Sequence, residues 1–375
     1  VPGLNKIGID GDALRKPLSG VGQYIYNLCC ELDTLLPNTE FFIYTRLSAE
    51  EVAIPASRWH LRNESNGLAR KLPSFLWMKT FGLALAKKDN LDVFWAGRTI
   101  HPGLSAAKEV VITVHDLNHK LVPETMQLAT RLSHKLWFDK DVKNATKVFT
   151  NSQGTSNRLQ EWVGRGADLV IHPGVSANFH PLDEASQASA TAALAPLGIS
   201  APYLLAVSTL EPRKNMSVLI DAFVQLKHQG AIAQHQLVLV GARGWQNNEL
   251  AEKIEANKQF GIVLPGYVAD ELIPSIYAMA DILIMPSKYE GFGMPVVEAR
   301  AVKTPVIISD VAELIEASAG EATIIKAEVD ALQQAILAVL DTPEANLPIQ
   351  TRPANWHDSA QILTTGLVTT TFDRE

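Results

Sequence analysis

The sequence predicts an α/β protein built as two doubly wound, Rossmann-like domains, each a parallel sheet covered by helices. Three observations carry this. Short apolar, β-branched or aromatic runs recur with helical patterns between them, they fall into two sets of six, and a breaker-rich stretch separates the sets. Runs of four or five apolar residues without alternation mark strands buried on both faces, as a helix-covered parallel sheet requires. At roughly 150 residues per domain, a chain of 375 residues holds two.

The first set is KIGID (6–10), FFIYT (41–45), DVFWA (92–96), VVITV (110–114), KVFT (147–150) and DLVIH (168–172). The second is YLLAV (203–207), QLVLV (236–240), GIVL (261–264), ILIMP (282–286), PVIIS (305–309) and ATII (322–325). Ser19 and Gly20 precede the periodic run YIYNLCCEL, Ser152 precedes TSNRLQEWV and Asn215 precedes SVLIDAFVQL, so each is expected at a helix N-cap. Pro295 fits the first turn of the helix MPVVEARAV, where a missing N–H costs nothing. The stretch HPGVSANFHPLDEASQ (172–187), interrupted by Pro173, Gly174 and Pro181, reads as the linker. The expected division is a first domain over 1–175, a linker over 176–187, a second domain over 188–352 and a helical tail over 353–375. Ligands of such folds settle outside the carboxyl ends of the strands, here in a cleft between the two domains.

Composition excludes several classes. A chain that is 47 % hydrophobic and 19 % charged is neither disordered nor low-complexity. Cys29 and Cys30 are adjacent and cannot build a disulfide framework, and no metal-ligand spacing is present, so no metal is expected. Neither a signal peptide nor a spanning helix is recognisable, which makes a cytoplasmic location the expectation. G-x-x-x-x-G-K-[ST], H-E-x-x-H and G-x-S-x-G are absent, leaving P-loop hydrolysis, zinc proteolysis and serine hydrolysis without a foothold. The net charge of −7 argues against nucleic acid as a partner. It is unevenly spread: Lys and Arg outnumber Asp and Glu by 21 to 17 up to residue 182, and are outnumbered 12 to 23 after it. The first half therefore suits an anionic partner, unless the bias is chance surface variation.

Five motifs bear chemistry. YEGFGMPVVEA (289–299) sets Glu290 in a glycine-bearing loop after a strand and Glu298 about one turn into the following helix. Backbone N–H groups of Phe292, Gly293 and Met294 suit sugar hydroxyls or phosphate oxygens, and a carboxylate at Glu298 suits a ribose diol. The alternative is a plain glycine turn with Glu298 on a solvated face. LEPRKN (210–215) follows a strand and precedes a helix, so Arg213 and Lys214 point with the helix dipole toward an anion such as a diphosphate. SGVGQY (19–24) is only a fragment of the dinucleotide fingerprint, and Gly20 and Gly22 either let backbone approach a phosphate or sugar or form a tight turn. HDLNH (115–119) places His115 and Asp116 at a strand end, where a neutral imidazole can orient an alcohol. DGD (10–12) reads as a strand-end turn that can also touch an acceptor. Finally, ARKLPSFLWMKTFGLALAKK (69–88) carries Arg70, Lys71, Lys79, Lys87 and Lys88 among Phe75, Trp77 and Phe81 without an acid. Such a stretch lies on an anionic bilayer surface or forms a half-buried helix with snorkelling lysines.

In this order, SGVGQY, HDLNH, LEPRKN, LPGYV (264–268) and EGFGMPVVE resemble the retaining GT-B glycosyltransferases of family 4 across nearly the whole chain. The resemblance implies an enzyme that takes a sugar from a nucleotide-diphospho-sugar donor held mainly by the second domain, without a metal, and passes it to an acceptor on the first. It implies that Arg213 and Lys214 bind the diphosphate and Glu298 the ribose, while Gly266, Tyr267 and Val268 border the base. Glu290 and the Phe292, Gly293 and Met294 amides would hold the sugar, as nucleophile or as positioning group. Gly22 would touch the phosphate from across the cleft and His115 would lie by the sugar and acceptor, and the tail would return to the first domain. TLEPRKN with HDLNH is similar to the mannosyltransferase-like branch that builds lipopolysaccharide O-antigens and other envelope polysaccharides. That implies GDP-mannose as donor, a saccharide or lipid-linked oligosaccharide as acceptor, and work at the inner face of the cell membrane. Glucosyl-, rhamnosyl- and N-acetylglucosaminyl-transferases using UDP- or dTDP-sugars share most of these residues. A sugar-nucleotide epimerase and a non-catalytic nucleotide-sugar-binding module remain as alternatives.

Overall fold

The computed structural model describes residues 4–123, 128–241, 248–266, 268–342 and 351–368. The chain forms two compact units: residues up to Gly174 together with those from Ala354 onward, and Val175–Pro353. The first holds β1 (Lys6–Asp10), β2 (Glu40–Thr45), β3 (His60–Asn63), β4 (Leu91–Ala96), β5 (Ala107–Val114), β6 (Lys147–Thr150) and β7 (Leu169–Val170), in the order β3-β2-β1-β4-β5-β6-β7. The second holds β8 (Tyr203–Val207), β9 (Gln236–Val240), β10 (Ile262–Val263), β11 (Ile282–Met285), β12 (Val306–Ser309) and β13 (Thr323–Ile325), in the order β10-β9-β8-β11-β12-β13. Every pairing within these strands is parallel. Both are doubly wound sheets, and in each the chain order reverses beside the first strand, between β1 and β4 and between β8 and β11. Those reversals create the crevices where such sheets take ligands.

Continuous apolar runs arise because neighbouring residues enter different cores. Leu204, Ile284 and Ile307 pack on one face with Phe223 and Ile336, while Leu205, Met285 and Ile308 pack on the other with Val296 and Leu314. The sequence gives no apolar run for β3, HLRN, whose residues are exposed or half-buried at the sheet edge. An edge strand with no doubly buried residue has nothing to make its run apolar.

Capping follows the expected chemistry at two helices. Ser19 Oγ accepts from the Gly22 N–H at the start of helix Gly20–Leu35, and Ser152 Oγ from the Thr155 N–H at helix Gln153–Val163. Asn215 departs from it: the residue precedes helix Met216–His228 in the left-handed region (φ 57°) and makes no side-chain cap. Its amide instead donates to the Ala327 carbonyl (3.5 Å). Helix Trp356–Val368 packs within the first unit, where Ser359 Oγ donates to the His172 carbonyl (2.8 Å) and Lys147 Nζ to that of Gly366 (2.8 Å). Gly174 has no room for a Cβ, because the backbone of Asn355 and Trp356 lies against it.

Residues 69–88 do not form one helix. Pro73 divides a short turn from a helical run that passes through a π segment, Met78–Gly82. Acids from elsewhere reach it: Arg70 pairs with Glu51 (2.9 Å), Lys79 with Asp141 (2.6 Å), and Trp77 donates its indole N–H to Glu64 (3.0 Å). Lys71, Lys87, Lys88 and Phe81 stay exposed.

Candidate active site

At the mouth of the second sheet, two loops meet on one carboxylate. The loop after β8 supplies Arg213 and Lys214 from a single 3-10 turn, Pro212–Lys214, and the loop after β11 supplies Ser287 and Glu290. A backbone bond from the Lys288 N–H to the Arg213 carbonyl (2.8 Å) ties the loops together. Lys214 Nζ donates to both Glu290 oxygens (2.6 and 2.7 Å), Ser287 Oγ to Oε1 (2.7 Å), and Arg213 to Oε2 (3.2 Å). Glu290 is only 4 % exposed and Lys214 8 %. Burial alone would raise the Glu290 carboxyl, but the charges of Lys214 and Arg213 and the bonds from Lys214 and Ser287 outweigh it and hold the group below its ordinary value. Glu290 is therefore a carboxylate at neutral pH with both oxygens engaged.

The two cations are not unopposed, which corrects the simplest reading of the LEPRKN motif. Arg213 also holds Glu211 through Nε (2.9 Å), so two carboxylates face two cations. An incoming diphosphate must compete with Glu290 and Glu211 rather than fill an empty positive pocket.

Behind this cluster, helix Met294–Ala301 begins after Gly293, whose φ of 117° suits glycine, and Pro295 sits in its first turn. Phe292 is buried in the core on this side of the sheet. Glu298, one turn along, accepts the Tyr277 hydroxyl at 2.5 Å. Burial raises its carboxyl above the ordinary value, and the Tyr277 bond opposes this only in part. Gly266 takes φ 76° with open space where a Cβ would stand. Val268 packs into the core, so its side chain is not available to border a base. Tyr267 lies outside the described residues.

The first unit has its own cavity, of about 450 Å³, at the carboxyl ends of β1, β4 and β5. Asp10, Arg98, Thr99, His115, Asp116 and Asn118 line it, with Phe75 and Met78 on an apolar side. Arg98 clasps Asp10 with two bonds (2.9 and 3.1 Å). Asp12 turns away to Arg46 (2.9 Å), so DGD is a turn whose first carboxylate reaches the cavity and whose second does not. Asp116 holds Asn118 through both oxygens. His115 brings Nε2 within 2.7 Å of the Gly97 carbonyl, which requires that nitrogen to be the donor and leaves Nδ1 as an acceptor. Burial lowers its affinity for a proton despite the Gly97 bond and Asp116, so the ring is neutral.

Gly20 and Gly22 need a different explanation from the one their spacing suggests. The Gly22 amide is already bonded to Ser19 Oγ, and a Cβ there would lie 2.7 Å from the Ala13 carbonyl oxygen. Its glycine lets the helix pack on the preceding turn, which does not leave that N–H to meet a phosphate. Gly20 is an exposed first residue of the helix.

Several participants escaped the sequence reading. Arg98 lies in the loop directly after β4, as Arg213 lies in the loop after β8, so the strand-end rule that found Arg213 applied there too. Ser287, three residues before Glu290, was reachable the same way. Tyr277, 21 residues before Glu298 on another helix, left no signal in spacing.

Residues 201–342 match the family model for group 1 glycosyl transferases. The O-antigen chain mannosyltransferase B of Escherichia coli is 39 % identical over 141 residues, covering 37 % of this chain and 36 % of that protein. The serotype-specific mannosyltransferase WbdA of Escherichia coli is 28 % identical over 266 residues, 67 % of this chain and 32 % of that protein. The chain thus spans about a third of the length of these curated relatives. Among solved structures, a sucrose-phosphate synthase from Thermosynechococcus elongatus superposes with a TM-score of 0.78 at 20 % identity, covering 99 % of this chain and 100 % of that one. WaaG, a glycosyltransferase involved in lipopolysaccharide biosynthesis, superposes with 0.70 at 15 % identity over 98 % and 100 %. At such identities the likeness is one of fold, the GT-B fold of two parallel-sheet domains.

Proposed function

From a chain of GT-B fold whose residues 201–342 match the group 1 glycosyl transferase family model, we propose a hexosyltransferase that moves mannose from GDP-mannose to a saccharide or lipid-linked saccharide in envelope polysaccharide synthesis. The observation that carries the reading is the meeting of Arg213 and Lys214 on Glu290 at the ligand end of the second sheet. The mannosyltransferase names of the curated relatives support the choice of sugar.

Breaking a sugar–phosphate bond leaves negative charge on a nucleoside diphosphate, and donors aimed at that growing charge lower the barrier. Arg213 and Lys214 are in place to take it up by exchanging Glu290 and Glu211 for phosphate oxygens. The N-terminus of helix Met294–Ala301 adds a favourable dipole for donor oxygens. This chemistry needs no divalent metal. Glu298 would accept the ribose diol, and the Gly266 turn would adjoin the base.

For Glu290 we favour a positioning role over a nucleophilic one. Both oxygens already accept hydrogen bonds, and its carboxyl is held below the ordinary value, so attack on the anomeric carbon would forfeit the bonds that hold the group. His115, neutral and with Nδ1 as acceptor, is suited to orient an acceptor hydroxyl in the cavity of the first unit. The exposed Lys71, Lys87, Lys88 and Phe81 provide the membrane contact suited to a lipid-linked acceptor.

The test is incubation with GDP-mannose, alone and with a mannose-terminated oligosaccharide, followed by mass spectrometry. A product one hexose heavier supports transfer. An epimerised donor formed without acceptor replaces the reading with an epimerase. Binding of GDP-mannose with no chemistry across a panel of acceptors leaves a binding module.

A further inference from the structure

A second cavity, of about 370 Å³, adjoins the one assigned to the acceptor, and His134 lines both. Its other walls include His119, Lys120, Arg131, Lys135 and Asp139. Arg131 and Lys135 stand four residues apart across the junction of helix Leu128–Ser133 with the π turn His134–Phe138, a spacing that brings them onto neighbouring positions of one face. Both are exposed, and among the described residues neither has a carboxylate within ion-pair distance. Lys120 is paired with Asp139 (2.9 Å). Among the described residues, three fixed cations therefore face one carboxylate. The His119 ring centre lies 4.1 Å from that of Phe138 and 5.0 Å from that of His134, tilted to both, and its Nε2 is buried without a hydrogen-bond partner. A buried ring nitrogen left so is costly unless something supplies its bond.

The geometry points to a second anion site: this cavity takes a phosphoryl or diphosphoryl group, the anionic end of an acceptor whose saccharide lies in the adjoining cavity. The assignment rests on the acceptor reading above for its role, but not for its binding chemistry. Volume, charge and the shared His134 wall agree. A diphosphoryl group fits the space, its charge answers the excess cations, and a sugar attached to it can reach past His134. Leu132 and Leu136, exposed between and beside the two cations, leave room for either a free sugar phosphate or one attached to lipid.

The test titrates inorganic pyrophosphate into the full chain while following the side-chain nitrogen resonances of His119 and His134, assigned with His119→Gln and His134→Gln. Both resonances should shift, and an Arg131→Ala/Lys135→Ala double variant should bind at least tenfold more weakly there. Its affinity for GDP should stay unchanged, since that site lies in the other unit. Histidine resonances that do not move, or a double variant that binds as the parent does, overturn the proposal. A parallel flotation on vesicles of phosphatidylcholine with phosphatidylglycerol separates the sources. Flotation displaced by pyrophosphate supports a phosphoryl site that also accepts lipid headgroups. Flotation lost in the double variant, with no pyrophosphate effect on the resonances, makes the face a membrane contact and overturns the anion site. Absent hexose transfer with pyrophosphate binding intact removes the glycosyltransferase reading and leaves the anion site standing.

Discussion

Glu290 is a neutralising counter-charge in the resting site, with Lys214 across both of its oxygens and Arg213 on one. Replacing it with Gln, in Glu290→Gln, keeps the shape and removes the competitor for the two cations. GDP affinity by calorimetry should therefore hold or rise, while the rate of transfer falls on the order of 10² to 10³, as when a preorganised electrostatic partner is lost. A variant that loses GDP affinity in step with rate would show Glu290 to act in binding. Glu298 gives a second test, through pH. Its raised carboxyl gains a proton at a higher pH than the usual carboxylate value of about 4.3. Protonation removes an acceptor for the ribose diol, so GDP affinity should fall as pH drops through that raised value. In Glu298→Gln the affinity should be weaker and flat over the same range.

Helix Gly20–Leu35 sits where it does because Gly22 lets it approach the turn Gly11–Leu14. In Gly22→Ala the new methyl meets the Ala13 carbonyl oxygen at 2.7 Å, and the contact is backbone, which cannot rotate away. Urea unfolding should show a loss of about 1–3 kcal/mol, the usual cost of overpacking, with GDP affinity of the folded protein unchanged. A selective loss of GDP affinity would instead return Gly22 to the donor. At this scale the sequence was legible where one physical demand dominated. Doubly buried strands announced themselves as apolar runs, and Ser19 and Ser152 capped as their chemistry requires. It was illegible where two demands compete for one residue type. Glycine at 22 serves packing although its spacing suits phosphate, and Asn215 takes a left-handed backbone in place of a cap. Val268 belongs to the core although its neighbour Gly266 lies in open space. The Asp10–Arg98 clasp joins residues 88 positions apart, a contact that only the β1–β4 pairing reveals.

Across the whole molecule, the two candidate sites sit at equivalent places, the reversal points of two parallel sheets, with different chemistry. The second sheet gathers cations and carboxylates fit for exchange with a diphosphate. The first offers a neutral imidazole, an Asp–Arg clasp and an apolar wall, suited to hydroxyls and sugar faces. No helix among the described residues is long and apolar enough to cross a membrane. Of the five basic residues at 69–88, Arg70 and Lys79 are paired with acids, so an electrostatic membrane contact rests on Lys71, Lys87 and Lys88. Replacing these three with Ser should release the protein from phosphatidylglycerol vesicles at low salt, each Lys contributing about 1 kcal/mol near an anionic surface. Release by salt alone should mimic the triple variant, and unchanged sedimentation would move the contact elsewhere.

The central claim is that Arg213 and Lys214 form the diphosphate end of a nucleotide-sugar site, with Glu290 as their resting partner. Calorimetric titration of GDP into the parent and Arg213→Ala chains tests it most directly, because Arg213 keeps some exposure and its loss leaves the Lys214–Glu290 pair in place. A charge-assisted bond contributes about 1.5–3 kcal/mol, so the variant should bind GDP on the order of ten- to a hundredfold more weakly. Equal affinity in the two chains, or no GDP binding by the parent, would contradict it.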